Sequence, residues 1–238
     1  MKQLTSVIAT GLALSLSLGA QAGTLEDVQK RGTVSCVVGT GLAGFSQKDE
    51  NGVWSGLDVD VCRAVAAAVL GDASKVQYKP LTAKERFTAL QSGEIDILSR
   101  NTTWTHTRDT SLGLNFAGVN YYDGQGFMVS KALGVKSALE LDGAAVCIQA
   151  GTTTELNLAD YFRTNGITYN AITFDTSDQT RAGFESGRCD VLTSDQSQLY
   201  ALRIGLSDPS SAIVLPEVIS KEPLGPVVSQ GDDAWLIP

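Results

Sequence analysis

One ten-residue pattern occurs twice in this chain, and it constrains the fold more than any other feature. Leu90-Gln91-Ser92-Gly93-Glu94-Ile95-Asp96-Ile97-Leu98-Ser99 resembles Phe184-Glu185-Ser186-Gly187-Arg188-Cys189-Asp190-Val191-Leu192-Thr193. Each copy reads as a helix end, a Ser-Gly turn and an apolar strand. A single match could be chance, but the same order of elements surrounds both copies. In the first half, Val34–Val38 reads as a buried strand, Val59–Leu70 as a helix behind Asp58, and Val76–Tyr78 as a strand. Ala83–Gln91 then reads as a helix and Ile95–Ser99 as a strand. In the second half the series is strand Ala144–Gln149, helix Thr153–Thr164, strand Ala171–Phe174, helix Asp178–Ser186 and strand Val191–Ser194. Alternating strands and helices imply a mostly parallel sheet covered on both faces. The expectation is therefore an α/β protein of two similar Rossmann-like lobes.

Ligands of open parallel sheets sit beyond the carboxyl ends of the strands. Those ends are polar here: Ser99-Arg100-Asn101-Thr102-Thr103 in one half and Thr193-Ser194-Asp195 in the other. If the lobes face each other, both ends line one cleft. Tyr121 to Val129 lies between the halves, and its two glycines, Gly124 and Gly126, suit a crossover strand that must flex. Glu222 to Val228 is a second candidate crossover. The expected division is a leader at 1–22, lobe 1 at 23–122, a hinge strand at 123–129, lobe 2 at 130–221, and a second hinge strand with a return to lobe 1 at 222–238.

The leader is read from Lys2, an apolar run from Val7 to Gly19, and the small-x-small site Ala20-Gln21-Ala22. The run is shorter than the ~20 residues that span a bilayer. Beyond it nothing is apolar and long enough to cross, so the mature chain is expected to have no membrane span. Export exposes cysteines to oxidising conditions, and four cysteines suggest two disulfides. Sequence order favours Cys36–Cys62 and Cys147–Cys189, each within one half, and each worth roughly 3–4 kcal/mol by chain entropy.

Composition then removes several function classes. The net charge of −8 gives no footprint for nucleic acid or an acidic membrane. A single histidine, His106, excludes multi-histidine metal sites and leaves any Ser-His-Asp or Cys-His triad resting on that residue. No cofactor or metal is expected.

Three motifs at strand ends carry chemistry. Thr103-Trp104-Thr105-His106-Thr107-Arg108 combines an N–H cradle with a guanidinium fork suited to a carboxylate. From composition alone it reads first as a capping threonine and a surface arginine paired with Asp109. Ala150-Gly151-Thr152-Thr153-Thr154-Glu155 offers a tight turn and a helix start, where Glu155 could complete a capping box. Asp195 is the acid placed to meet an ammonium, or else the N-cap of Gln196–Arg203. Two cradles and a cationic fork opposite an aspartate match the groups of an α-amino acid.

Gly56-Leu57-Asp58-Val59-Asp60-Val61-Cys62-Arg63-Ala64-Val65-Ala66 resembles the signature of the extracellular solute-binding proteins of polar amino-acid ABC transporters. The Thr103…Arg108 motif, the Gln149-Ala150-Gly151-Thr152-Thr153 turn and Asp195 match that family in order and spacing. Arg100-Asn101-Thr102-Thr103-Trp104-Thr105 and Gly151-Thr152-Thr153-Thr154-Glu155-Leu156 are most similar to its general L-amino-acid-binding branch.

The resemblance implies a type II periplasmic binding protein that closes on its ligand and hands it to permease subunits. It implies a periplasmic location and a monomer. Carried over, Arg108 grips the α-carboxylate with backbone N–H groups of Thr103 and Thr153. Asp195 receives the α-ammonium, helped by the Asn101 carbonyl and the Thr103 hydroxyl. Gln149 and Ser194 read the ligand side chain, and Phe45 covers the ligand. Ser194 is smaller than its counterpart in some relatives, which leaves room for a broad range of polar, acidic and amide side chains.

Asp58 is expected to cap a helix. Arg100 is a candidate reader of an acidic side chain, or else points away from the cleft. The competing function is a dehydratase of small carboxylic acids on the same fold, with Glu155 or His106 as acid or base. In the family, helices after the return segment complete the first lobe. A chain ending at Pro238 is expected to leave part of that lobe's core uncovered and to be poorly stable.

Overall fold

The computed structural model describes residues 23–236; the expected leader, 1–22, lies outside them. The first half comprises α1 (Thr24–Arg31), β1 (Val34–Val38), the hairpin strands β2 (Gln47–Lys48) and β3 (Trp54–Ser55), α2 (Leu57–Leu70), β4 (Val76–Pro80), α3 (Arg86–Gln91), β5 (Ile97–Leu98), α4 (His106–Ser111) and β6 (Leu114–Phe116). The chain continues through β7 (Tyr121–Asp123), β8 (Gln125–Ser130), β9 (Ala144–Gln149), α5 (Thr154–Asn165), β10 (Tyr169–Phe174), α6 (Ser177–Glu185), β11 (Val191–Asp195), α7 (Gln196–Ile204) and β12 (Ala212–Val214). It returns through β13 (Glu222–Leu224), β14 (Val227–Ser229) and α8 (Asp233–Leu236).

Two five-stranded sheets result, ordered β4-β1-β5-β14-β6 and β10-β9-β11-β8-β12. In each, the first three strands are parallel and the fourth runs antiparallel. The antiparallel strands, β8 and β14, are the ones that arrive from the crossovers. Every residue of β1 is buried because helices cover both faces. Val34, Cys36 and Val38 pack toward Val59, Cys62 and Ala66 of α2, while Val37 joins Leu90, Leu98 and Leu114 on the other side.

The repeated motif has a local cause. Ser92 and Ser186 each close a helix by bonding a carbonyl three residues back, both at 3.1 Å. Gly93 and Gly187 follow at φ +72° and +73°, where a Cβ would be strained. Asp96 then accepts from the backbone N–H of Ser35 at 2.6 Å, and Asp190 from that of Ala145 at 2.8 Å. The two aspartates thus pin each lobe's third strand to the start of its first.

The disulfides are Cys36–Cys62, between β1 and α2, and Cys147–Cys189, between β9 and the turn before β11. Their Cα atoms are 6.1 and 5.6 Å apart.

The crossover differs in detail from expectation. β7 pairs antiparallel with β13 to form a two-stranded hinge, in which Glu222 faces Asp123 and Leu224 faces Tyr121. Residues 125–130, which overlap the expected hinge strand, form β8 within the second sheet. Gly124 and Gly126 also answer crowding. A Cβ at Gly124 would lie 2.4 Å from the Val218 side chain, and one at Gly126 3.2 Å from Gln196. The return segment also forms a helix: Trp235 of α8 is buried, and its indole N–H donates to Asp96 O at 2.8 Å.

Candidate functional site

The carboxyl ends of β5, β9 and β11 converge on a narrow cleft of about 20 Å³ between the sheets, lined by Arg86, Arg100, Asn101, Thr103, Arg108, Gln149, Thr152–Thr154, Ser194, Asp195 and Gln198. That is far below the ~300–1,000 Å³ of ligand-sized sites. The lobes touch across it. Lys84 Nζ is 2.8 Å from Asp175 at the rim, Arg86 Nη2 is 3.5 Å from Gly151 O, and Asn101 Nδ2 is 3.4 Å from Gln198 Oε1.

Arg108 is 7% exposed, which removes the reading of a surface arginine paired with Asp109. Thr105, not Thr103, caps α4 by accepting from Arg108 N at 3.2 Å. The guanidinium lies 5.1 Å from the Phe87 ring and donates through Nη1 to Thr103 O at 2.8 Å. Burial lowers its pKa to about 10, with Glu222 and Asp195 opposing the shift.

Arg86, which the sequence reading passed over, is buried on the same wall, 4.7 Å over Phe87. Burial, Arg108 and Arg100 hold its pKa well below the ordinary value. Its Nε has no partner. Nothing in the local pattern Arg86-Phe87-Thr88-Ala89 marks this arginine as inward-facing; the tertiary fold turns it in.

Arg100 lines the cleft, yet its Nε donates to Leu81 O at 3.1 Å, and burial lowers its pKa to about 10. Asp58 makes no capping bond to α2, which begins behind Gly56. It is buried and accepts from the Asn101 backbone N–H at 3.1 and 3.2 Å. Burial raises its pKa to about 6 against the pull of Asn101, Arg100 and Arg86. Asn101 has φ +22°, the one non-glycine residue with positive φ among the described residues. Such a conformation persists where its surroundings fix it, and Asp58 is part of that fixture.

Thr153 precedes α5 but makes no side-chain cap, and no capping box forms there. Its hydroxyl donates instead to Glu222 Oε2 at 3.1 Å, while Glu155 accepts from Gly151 N at 3.2 Å. Gly151 is required twice over. Its φ is +76°, and a Cβ would stand 3.0 Å from Lys84 N of the opposite lobe. Gln149 gives its amide to Asp175 O at 3.1 Å and takes the Ser177 hydroxyl at 3.0 Å. Gln198, also passed over in the sequence, donates to Ser177 Oγ at 2.8 Å and so extends this relay to Asn101.

Asp195 ends β11 and is buried, with no capping bond into α7, so it is not the helix cap its position allowed. Burial, then Glu222 and Asp123, push its pKa up to about 8 against the pull of Arg86 and Arg108. Ser194 lies beside it in the lining.

Phe45 does not line the cleft. It packs edge-on to Tyr121 at 5.5 Å and joins Leu42 and Leu224, because the Leu42–Ser46 bridge folds its loop against the hinge. His106 is exposed at the start of α4, and the Glu155 carboxylate is occupied by Gly151, so neither reaches the cleft as an acid or base.

The cleft is therefore polarised. Arg86, Arg100 and Arg108 stand on one wall, and Asp195 stands on the other, with Glu222 and Asp123 behind it. A ligand that carries an anionic and a cationic group on one carbon matches this field.

Residues 34–236 match the family described as bacterial extracellular solute-binding proteins, family 3. The chain is 60% identical over 235 residues to the general L-amino acid-binding periplasmic protein AapJ of Rhizobium johnstonii, covering 99% of this chain and 69% of that protein. It is 53% identical over 235 residues to the glutamate/glutamine/aspartate/asparagine-binding protein BztA of Rhodobacter capsulatus, covering 99% and 70%. Among solved structures it is similar to an ABC transporter periplasmic binding protein from Brucella ovis with glutathione bound. That likeness has 58% identity and a TM-score of 0.88 over 91% of this chain and 68% of that one. These relatives are solute-binding proteins, not enzymes. Among the described residues no helix is long and apolar enough to cross a membrane.

Proposed function

This chain belongs to the bacterial extracellular solute-binding proteins, family 3, and from that we propose that it binds L-α-amino acids in the periplasm and delivers them to an ABC-type permease. The carrying observation is the polarised cleft: a buried guanidinium on one wall and a buried, unbonded carboxylate on the other. Arg108 holds the α-carboxylate through its free guanidinium N–H groups, with the turn at Thr152–Thr154 opposite. Asp195 takes the α-ammonium.

Closure excludes water, so each charge-assisted bond acts at low dielectric. Gln149, Ser194 and Gln198 line the remaining space and suit amide and carboxylate side chains; the name of the Rhodobacter capsulatus relative supports that range. Each lobe of the cleft comes from the same chain, which supports a monomer as the binding unit. The leader at 1–22 carries the chain across the inner membrane.

The test is calorimetry with a panel of L-amino acids on the protein and on Arg108→Ala. Losing one partner of a buried charge pair costs ~2–5 kcal/mol. The variant should bind at least tenfold more weakly, and a smaller loss refutes the carboxylate assignment.

A further inference from the structure

Building on the amino-acid reading above, we propose that Asp123 and Glu222, the two facing carboxylates of the hinge, are positioning residues. They hold the ammonium and carboxylate ends of the site in register with the hinge.

Two helix N-termini lack side-chain bonds from their N-cap residues. An aspartate at the N-cap position ordinarily accepts from the first turn of its helix. Asp195 occupies that position for α7 and makes no such bond. The hinge satisfies the helix instead. Gln196 N donates to Gly124 O at 2.8 Å, Ser197 N donates to Asp123 Oδ1 at 3.4 Å, and the Ser197 hydroxyl donates to Asp123. Asp195 is thereby released to face the cleft.

At α5 the hinge holds the helix start through side chains rather than backbone N–H groups. Thr153 stands at the N-cap and makes no capping bond. Its hydroxyl donates to Glu222 Oε2 at 3.1 Å, and the Asn157 amide donates to Glu222 Oε1 at 2.7 Å. Ser220 adds a third bond at 2.6 Å. Glu222 is 2% exposed and fully engaged, so it braces the cradle and does not itself take the ligand.

These two carboxylates are Cα partners in the β7–β13 pair. One rung of the hinge is therefore bonded to both helices that present the head-group contacts. Twisting that rung moves the start of α7 and the start of α5 together. Charge supports the arrangement: Glu222 and Asp123 both raise the pKa of Asp195, and Glu222 favours the Arg108 cation. Arg86 and Arg108 act on Asp195 in the opposite sense.

The experiment measures L-glutamine affinity across the neutral and mildly basic pH range by calorimetry. It compares the full chain with Asp123→Asn, Glu222→Gln, Ser197→Ala and Asn157→Ala. The two charge variants should weaken binding roughly tenfold and move the pH at which affinity levels off downward by about half a unit, since a like charge beside Asp195 is gone. Glu222→Asp should restore that pH while leaving affinity low. Ser197→Ala and Asn157→Ala, which keep all charges, should weaken binding several-fold at an unchanged pH.

If both charge variants bind with unmoved pH dependence, the carboxylates are merely structural and the proposal fails. If a charge variant does not fold, unchanged affinity in Ser197→Ala and Asn157→Ala overturns it. Absence of amino-acid binding by the unmodified chain would instead refute the underlying reading.

Discussion

Asp195 gives the sharpest prediction, because its carboxyl must change protonation to accept a cation. In the ligand-free cleft its pKa stands at about 8, raised first by burial and then by Glu222 and Asp123. An ammonium placed against it favours the carboxylate, so its pKa in the complex is lower. Affinity therefore rises with pH between the two values, and binding releases a proton. With a free-state value near 8, about nine-tenths of the groups are protonated at pH 7 by simple titration. Affinity for L-glutamine should then improve roughly ninefold from pH 6 to 7, and about fivefold from 7 to 8. Above that the rise flattens, and affinity falls again once the ligand's own α-ammonium loses its proton.

L-glutamine is the ligand of choice because its side chain does not titrate. Calorimetry in two buffers of different ionisation enthalpy should report about 0.9 proton released per ligand at pH 7. Asp195→Asn should bind more weakly by roughly 10- to 100-fold at pH 8, the scale of a lost charged hydrogen bond, and should lose both the slope and the proton release. Flat affinity between pH 6 and 8, or a slope that survives in the variant, would refute the reasoning.

Two further outcomes follow from the lobe contacts and crosslinks. Gly151→Ala places a Cβ 3.0 Å from Lys84 N of the facing lobe, at a φ of +76° that alanine resists. It should weaken amino-acid binding about tenfold and shift the scattering profile of the liganded protein toward an open form. Equal affinity would show that the lobes do not meet at this contact. Reducing the disulfides removes loop constraints of 26 and 42 residues, each worth about 3.5–4 kcal/mol by chain entropy. A single-pair variant, Cys147→Ala with Cys189→Ala, should therefore melt several degrees lower; an unchanged melting temperature would contradict the estimate.

The sequence by itself determined the two-lobe plan, because its signals are local. The Ser-Gly turn and the following aspartate at 92–96 and 186–190 specify the same helix stop and strand start wherever they occur. The apolar runs at Val34–Val38 and Ala144–Gln149 are unbroken because both sheet faces are covered. Arg108 and Asp195 were legible because each follows a strand end.

The tertiary structure decided what those positions do. Asp195 was free to be a helix cap until Asp123, distant in sequence, took that bond. Thr153 turned to Glu222, and Asp58 turned from α2 to Asn101. Arg86 entered the cleft with no local mark, and Phe45 left it for the hinge. The physical reason is common to the four polar ones. A capping residue or an arginine has several bonding partners within reach. Which one it takes is settled by groups that only folding brings near, and the sequence holds no local record of them.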